Sequence, residues 1–167
     1  MVERVFDAHP GKSETQWRMV GRRAPRPRDA ATLILIRRDG PVPRVLMGRR
    51  HRGHDFMPDK WVFPGGRVEP ADARAPFATD LRAEVAAKLK LTAPHVRARA
   101  LAMAAVRETF EEAGLLLAKA APARSASGPW REFLAQGAQP DLAALDFVAR
   151  AITPPVLPKR FDARFFM

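Results

Sequence analysis

The spacing of apolar residues divides the chain into short strand-like runs, two helical patterns and a set of turns. From Ala31 to Ile36 the run Ala-Thr-Leu-Ile-Leu-Ile is apolar without a helical period, which predicts a buried strand. Asp39-Gly40-Pro41 then turns the chain, and 44–48 is expected to return as an antiparallel partner. Trp61 to Phe63 reads as a third short strand, breaking into a Pro64-Gly65-Gly66 loop. Phe77, Leu81, Val85 and Leu89 recur at helical spacing, so an amphipathic helix is expected over 77–91, ended by Thr92-Ala93-Pro94. Residues 95–100 lead into a second helix. After Leu117 the segment 118–128 is small, polar and linker-like, while 130–134 and 141–152 read as two short helices. Thr153-Pro154-Pro155 breaks the chain, and 160–166 alternates like a strand.

The second helix carries Arg107-Glu108-Thr109-Phe110-Glu111-Glu112-Ala113-Gly114. At roughly 100° per residue, Glu111 and Glu112 fall within about 60° of Glu108, on either side of it. Ala102, Met103, Val106, Phe110 and Ala113 form the opposite, core-facing stripe. Gly114 stands where a left-handed cap would end the helix. An acidic stripe has two readings. It is a solvated helix face, or it holds a cation that offsets the repulsion of about 0.2–0.5 kcal/mol per like-charged pair. Oxygen-only ligands favour Mg²⁺ or Mn²⁺ over zinc.

The acidic helix and the Pro-Gly-Gly turn together resemble the signature of the Nudix hydrolases. That signature runs from a glycine through a glutamate to Arg-Glu, an aliphatic residue, any residue, Glu-Glu, any residue and Gly. Gly66 matches the opening glycine, and Arg107, Glu108, Glu111, Glu112, Gly114 and Leu115 match the second half. Asp72 stands at the first glutamate, Thr109 at an aliphatic position, and 40 residues separate Gly66 from Arg107 where the signature has 13. The excess falls between Asp72 and about Ala100, which places an extra helix inside the box. Loop-closure cost grows slowly with length, so two flanking half-sites tolerate it. Phe56-Met57-Pro58 and the stretch 152–166 look like the long-insert branch near coenzyme A diphosphatases.

The resemblance implies an α/β fold: an α/β/α sandwich with a mixed sheet over 30–167, behind a flexible basic segment 1–29. It implies Mg²⁺ (or Mn²⁺) held by Glu108, Glu111 and Glu112 with a carbonyl near Gly66, and hydrolysis of a diphosphate linkage. Coenzyme A or an acyl-CoA is the favoured substrate. Arg107 is expected to brace the carboxylates, with Asp72 as its partner. Further strands and a closing helix usually follow in the family. The apolar strand ending at Phe166 is therefore expected to have an uncovered edge. That would make the chain a fragment, a truncated product, or one completed by a partner subunit, as in a homodimer.

Composition adds limits. No apolar run reaches 18 residues, which argues against a membrane span. The N-terminus lacks a secretory pattern, and the absence of cysteine excludes disulfides and thiolate metal sites. Cytoplasm is the default expectation. The formal charge is +11, and the window from Arg18 to Arg52 holds eleven arginines against Asp29 and Asp39. Such a field attracts phosphates. At least one of Arg49, Arg50 and Arg52 is a candidate phosphate contact, arginine pairing with phosphate oxygens in bidentate fashion. Two competing readings are a non-catalytic nucleic-acid-binding module and an inactive scaffold. The basic window lacks interleaved aromatics for base stacking, which disfavours nucleic acid.

Overall fold

A computed structural model describes residues 24–53, 57–90 and 93–167. Most of the expected lead-in 1–29 lies outside the described residues, as do His54 and the end of the helix expected to reach Leu91. In chain order the strands are β1 (Arg28–Leu33), β2 (Ile36–Arg37), β3 (Arg44–Val45), β4 (Gly48–Arg49), β5 (Trp61–Val62), β6 (Gly65–Arg67), β7 (Ala118–Ala120), β8 (Ala138–Pro140), β9 (Phe147–Ile152) and β10 (Phe161–Phe166). The helices are α1 (Ala83–Lys90), α2 (His95–Ala113) and α3 (Arg131–Ala135).

Four strands make one mixed sheet in the order β6-β1-β10-β9. β1 runs parallel to β10 and antiparallel to β6, and β10 is antiparallel to β9. The remaining strands form three two-stranded ribbons, β2-β3, β4-β5 and β7-β8. Helix α2 packs on β1 and β6, with α1 against it. Its middle is buried nearly all round: Ala98, Leu101, Ala102, Met103, Ala104, Ala105 and Val106 are fully enclosed. Small side chains on several faces allow such close approach on more than one side. Of the expected core stripe, Phe110 is half-buried and Ala113 exposed. Among the described residues no helix is long and apolar enough to cross a membrane.

Several elements differ from expectation, each for a tertiary reason. β1 begins at Arg28 rather than Ala31, because its first residues pair with Phe161 and Asp162 of β10. The return strand 44–48 is two pieces with different partners, β3 on β2 and β4 on β5. Gly65 and Gly66 sit in an edge strand, not a loop, opposite Thr32 and Ala31. The first helix covers only the second half of its expected span. Thr79 instead bridges to Asp141, and Arg99 lies over the Phe77 ring at 4.7 Å. The segment 118–128 is not wholly a linker, since Ala118–Ala120 pairs with β8. The helix expected over 141–152 is a 3-10 turn at Leu142–Ala144 followed by strand β9. Finally, β10 is an interior strand flanked by β1 and β9, so the uncovered edge expected at Phe166 is absent. Phe166 is fully buried, edge-on to Phe147 at 6.1 Å.

Candidate active site

The acidic end of α2 is fixed to the sheet by one guanidinium. Arg107 is buried, as is Asp72, and the two pair in bidentate fashion: Nε to Oδ1 at 2.8 Å and Nη2 to Oδ2 at 3.1 Å. Nη2 also donates to the Arg67 carbonyl of β6 at 3.0 Å. Nη1 turns outward and donates to Glu108 Oε1 at 2.9 Å and to both oxygens of Glu111, at 3.2 and 3.1 Å. These carboxylates hold the Arg107 pKa above its ordinary value despite the opposing cost of burial. Thr109, where the signature has an aliphatic residue, is buried too and returns its hydroxyl to the Ala105 carbonyl at 2.7 Å. Bonding back into its own helix makes the polar side chain tolerable there.

The glycines belong to this site through close approach. A Cβ at Gly66 would overlap the Glu108 carboxylate, and one at Gly65 would collide with Ala31 and Thr32 of β1. Gly65 N–H donates to Glu112 Oε2 at 3.1 Å. So β6 needs two residues without side chains: one against its neighbour strand, one against the helix. Gly114 closes α2 in the left-handed conformation, φ 68° and ψ 13°, with its N–H on the Phe110 carbonyl at 2.8 Å.

Three carboxylates (Asp72, Glu108 and Glu111) thus bond one buried arginine, and a fourth, Glu112, lies on the β6 backbone. Burial raises the pKa of Glu108, against the pull of Arg107. Burial also raises that of Glu112, opposed by the Gly65 N–H and by the charge of Arg50. The donor set fits a hard divalent cation in chemistry: oxygen atoms only, a local surplus of negative charge, and a Glu108 carboxylate that a glycine at 66 lets lie close to the β6 backbone. Among the described residues no three His, Cys, Asp or Glu side chains converge as a ready-made ion cage. Arg107 divides Glu108 and Glu111 from Glu112, which points to the β6 backbone.

The three candidate phosphate-binding arginines separate. Arg49 Nη2 pairs with Asp59 Oδ1 at 2.8 Å, and Arg52 lies 4.0 Å from the same atom. Arg50, tied into the ribbon by its N–H to the Lys60 carbonyl at 3.0 Å, is the one whose charge reaches Glu112. His51 accepts from the Gly53 N–H at 3.1 Å within its own turn.

Beside Glu111 opens a cleft of about 650 Å³, walled by Phe110 of α2 and by Ser127, Pro129, Arg131 and Glu132. Trp130, between the lining residues Pro129 and Arg131 in the chain, is itself buried and donates its indole N–H to Asp72 Oδ1 at 3.0 Å. Nothing local in the chain points to this contact beyond a general rule: a buried tryptophan usually finds a partner for its N–H.

A family model for the NUDIX domain matches residues 26–141. Among curated proteins, "Putative nudix hydrolase 7" of Caenorhabditis elegans is 30% identical over 152 residues, covering 84% of this chain and 43% of its own length. "Acyl-coenzyme A diphosphatase NUDT19" of Gallus gallus is 34% identical over 141 residues, covering 61% of this chain and 35% of its own. The chain therefore spans less than half the length of the curated relatives it matches. A crystal structure of a NUDIX hydrolase from Alicyclobacillus acidocaldarius superposes with a TM-score of 0.61 at 32% identity, over 84% of this chain and 68% of that one.

Proposed function

The chain belongs to the Nudix hydrolase family, and on that premise we propose that it hydrolyses the diphosphate linkage of a nucleoside diphosphate derivative, with coenzyme A or an acyl-CoA the favoured substrate. One observation carries the reading. Glu108 and Glu111 at the end of α2 bond an arginine too buried to serve as a surface charge, while Glu108 and Glu112 lie against the two glycines of β6. The acyl-CoA diphosphatase name of the Gallus gallus relative supports the substrate choice.

Nudix hydrolases generally use divalent metal ions, and Glu108, Glu111, Glu112 and a backbone carbonyl near Gly66 are the groups that would hold Mg²⁺ or Mn²⁺ here. When bound, such an ion withdraws charge from phosphoryl oxygens and acidifies water. The protein's own groups do the rest. Arg107 fixes the spacing of Glu108 and Glu111 from below while touching no substrate. Glu108 and Glu112, the carboxylates set against β6, are the candidates to take the proton of an attacking water. The water oxygen bonds to phosphorus, the anhydride P–O bond breaks, and the leaving phosphate carries away the electron pair. Arg50, whose charge acts on Glu112, would meet a phosphate on that side, and the cleft beside Glu111 would take the rest of a small ligand.

Release of phosphorylated products is measured from coenzyme A, an acyl-CoA, ADP-ribose, NADH and diadenosine polyphosphates, with Mg²⁺ and with chelator. Cleavage of the coenzyme A compounds should require the ion and fall about 10²-fold or more in Glu111→Gln. Turnover indifferent to chelator or to that substitution overturns the reading.

A further inference from the structure

Trp130 stands outside the signature in sequence, 58 residues beyond Asp72, yet it completes the shell around the buried carboxylate. Asp72 accepts four hydrogen bonds. Oδ1 takes Arg107 Nε and Trp130 Nε1, at 2.8 and 3.0 Å, and Oδ2 takes the Glu69 N–H and Arg107 Nη2, at 2.8 and 3.1 Å. Three of these donors lie within the segment from Gly66 to Arg107, and the fourth comes from the segment walling the cleft. The same segment meets α2 itself through rings. Trp130 packs edge-on against Phe133 at 5.2 Å, and Phe133 against Phe110 at 5.2 Å. One segment, 127–133, therefore reaches the site twice: Trp130 bonds to Asp72, the partner of Arg107, and Phe133 packs on Phe110 of α2.

We propose that Trp130 is a positioning residue for the site: its indole N–H sets the Asp72 carboxylate, and through it the Arg107 guanidinium that spaces Glu108 and Glu111. Packing alone does not ask for tryptophan there, since a phenylalanine would bury similar apolar surface. The N–H is what a phenylalanine lacks, and its acceptor is the oxygen that Arg107 Nε also uses. Without it, Oδ1 is left with one donor in a fully buried place, where an unmet acceptor is costly. The carboxylate then turns, and Arg107 turns with it. Glu111 is both an Arg107 partner and a lining residue of the cleft, so the wall of the cleft and the acidic face are held as one unit. This inference rests on the reading of the acidic face as a metal-dependent site.

The test compares Trp130→Phe, which keeps a ring but drops the donor, with Phe133→Leu, which loosens the same ring cluster but leaves the donor. Manganese affinity is read by electron paramagnetic resonance, alongside thermal midpoint, kcat and KM on whichever diphosphate the parent cleaves. Trp130→Phe should weaken manganese binding and lower kcat, each about tenfold, with KM changed less than twofold. Phe133→Leu should lower the thermal midpoint at least as much while leaving manganese affinity and kcat within twofold. Equal manganese affinity in Trp130→Phe and the parent overturns the inference, and so does an equal loss in both variants. A parent that binds manganese but cleaves no diphosphate overturns the proposed function alone. The affinity comparison then still decides the role of Trp130.

Discussion

The two ends of α2 are both tied to the rest of the fold by arginine–carboxylate networks, and the two networks are balanced in opposite ways. At the first turn, Asp29 of β1 and Asp162 of β10 stand directly opposite each other on parallel strands. That like-charged pair is met by three arginines. Arg97 reaches both, bonding to Asp29 and lying 3.8 Å from Asp162. Arg150 pairs with Asp162 in bidentate fashion at 2.7 and 2.9 Å, and the fully buried Arg164 lies 2.6 Å from it. At the other end Arg107 bonds three carboxylates, Asp72, Glu108 and Glu111, while Glu112 rests on the Gly65 N–H and feels the charge of Arg50. The first network lowers the pKa of Asp162, chiefly through Arg150, while the second leaves Glu108 and Glu112 raised. A helix can be anchored by an ion network that satisfies its own charges. The surplus negative charge at the other end has no structural purpose that a neutral or balanced cluster would not serve better.

The largest expected effect comes from removing the buried cation of the acidic end. Arg107→Met keeps length and apolar volume but leaves Asp72 buried without its ionic partner. Such orphaned charges cost about 3–5 kcal/mol. Urea unfolding should show that loss, and divalent ion should restore little of it, because Asp72 lies beneath the glutamates and not among them. A loss below about 1 kcal/mol would mean that the shell of Glu69 and Trp130 N–H donors suffices to hold Asp72, and that Arg107 is there for the glutamates alone.

How much of this asymmetry was legible in the sequence follows from what is local. The acidic stripe, the Gly114 cap and the inserted helix were all readable because a helix repeats every three to four residues. The pairing of Asp72 with Arg107 was readable only because the family signature suggested it. Sheet partners were another matter. Phe147-Val148-Ala149-Arg150-Ala151-Ile152 is short and mixed, so periodicity cannot separate strand from helix, and its pairing with β10 decides. Gly65 and Gly66 read as a turn, because nothing local says that a helix packs on one and a strand on the other. Asp29, which local reading assigned to a polar lead-in, becomes structural only once Asp162 arrives from more than 130 residues away. Trp130 was placed in a short helix correctly enough, but its acceptor lies in the distant half of the signature. The chemistry-bearing residues were visible, and the scaffold that aims them mostly was not.

The balanced end gives the next test, with the sign fixed by its pKa. Asp162 has a folded pKa below its ordinary value of 3.8. Its contribution is therefore present above that value and is lost as pH falls through the lower folded one. Glu108 and Glu112, raised above an ordinary 4.5, work in the other direction. In metal-free protein they favour the folded state increasingly as pH falls from their folded pKa values to that ordinary one. Asp162→Asn should cost about 1–2 kcal/mol at neutral pH, remove charge-assisted bonds to Arg150 and Arg164, and flatten the decline of stability below pH 3.8. Chemical denaturation across the acid range without divalent ion measures both limbs. If Asp162→Asn leaves the acid limb as steep as before, the first-turn network does not carry the helix in the way described.

The smallest effect distinguishes the arginines at the mouth of the site. Arg49 spends its guanidinium on Asp59, whereas the charge of Arg50 acts on Glu112. Both sit on one ribbon and carry the same charge, so a long-range field would treat them alike. A local contact would not. Arg50→Ala should raise KM for a diphosphate substrate by roughly fivefold, the equivalent of about 1 kcal/mol expected of a partly exposed ionic contact. Arg49→Ala should stay within about twofold, since its loss also unbinds Asp59 at the surface. Repeating both at high salt separates the causes, because screening erases a field over distances beyond about 10 Å but spares a direct contact. Equal effects of the two substitutions, vanishing together in salt, would show that the ribbon attracts its ligand by charge density alone and that Glu112 has no arginine of its own.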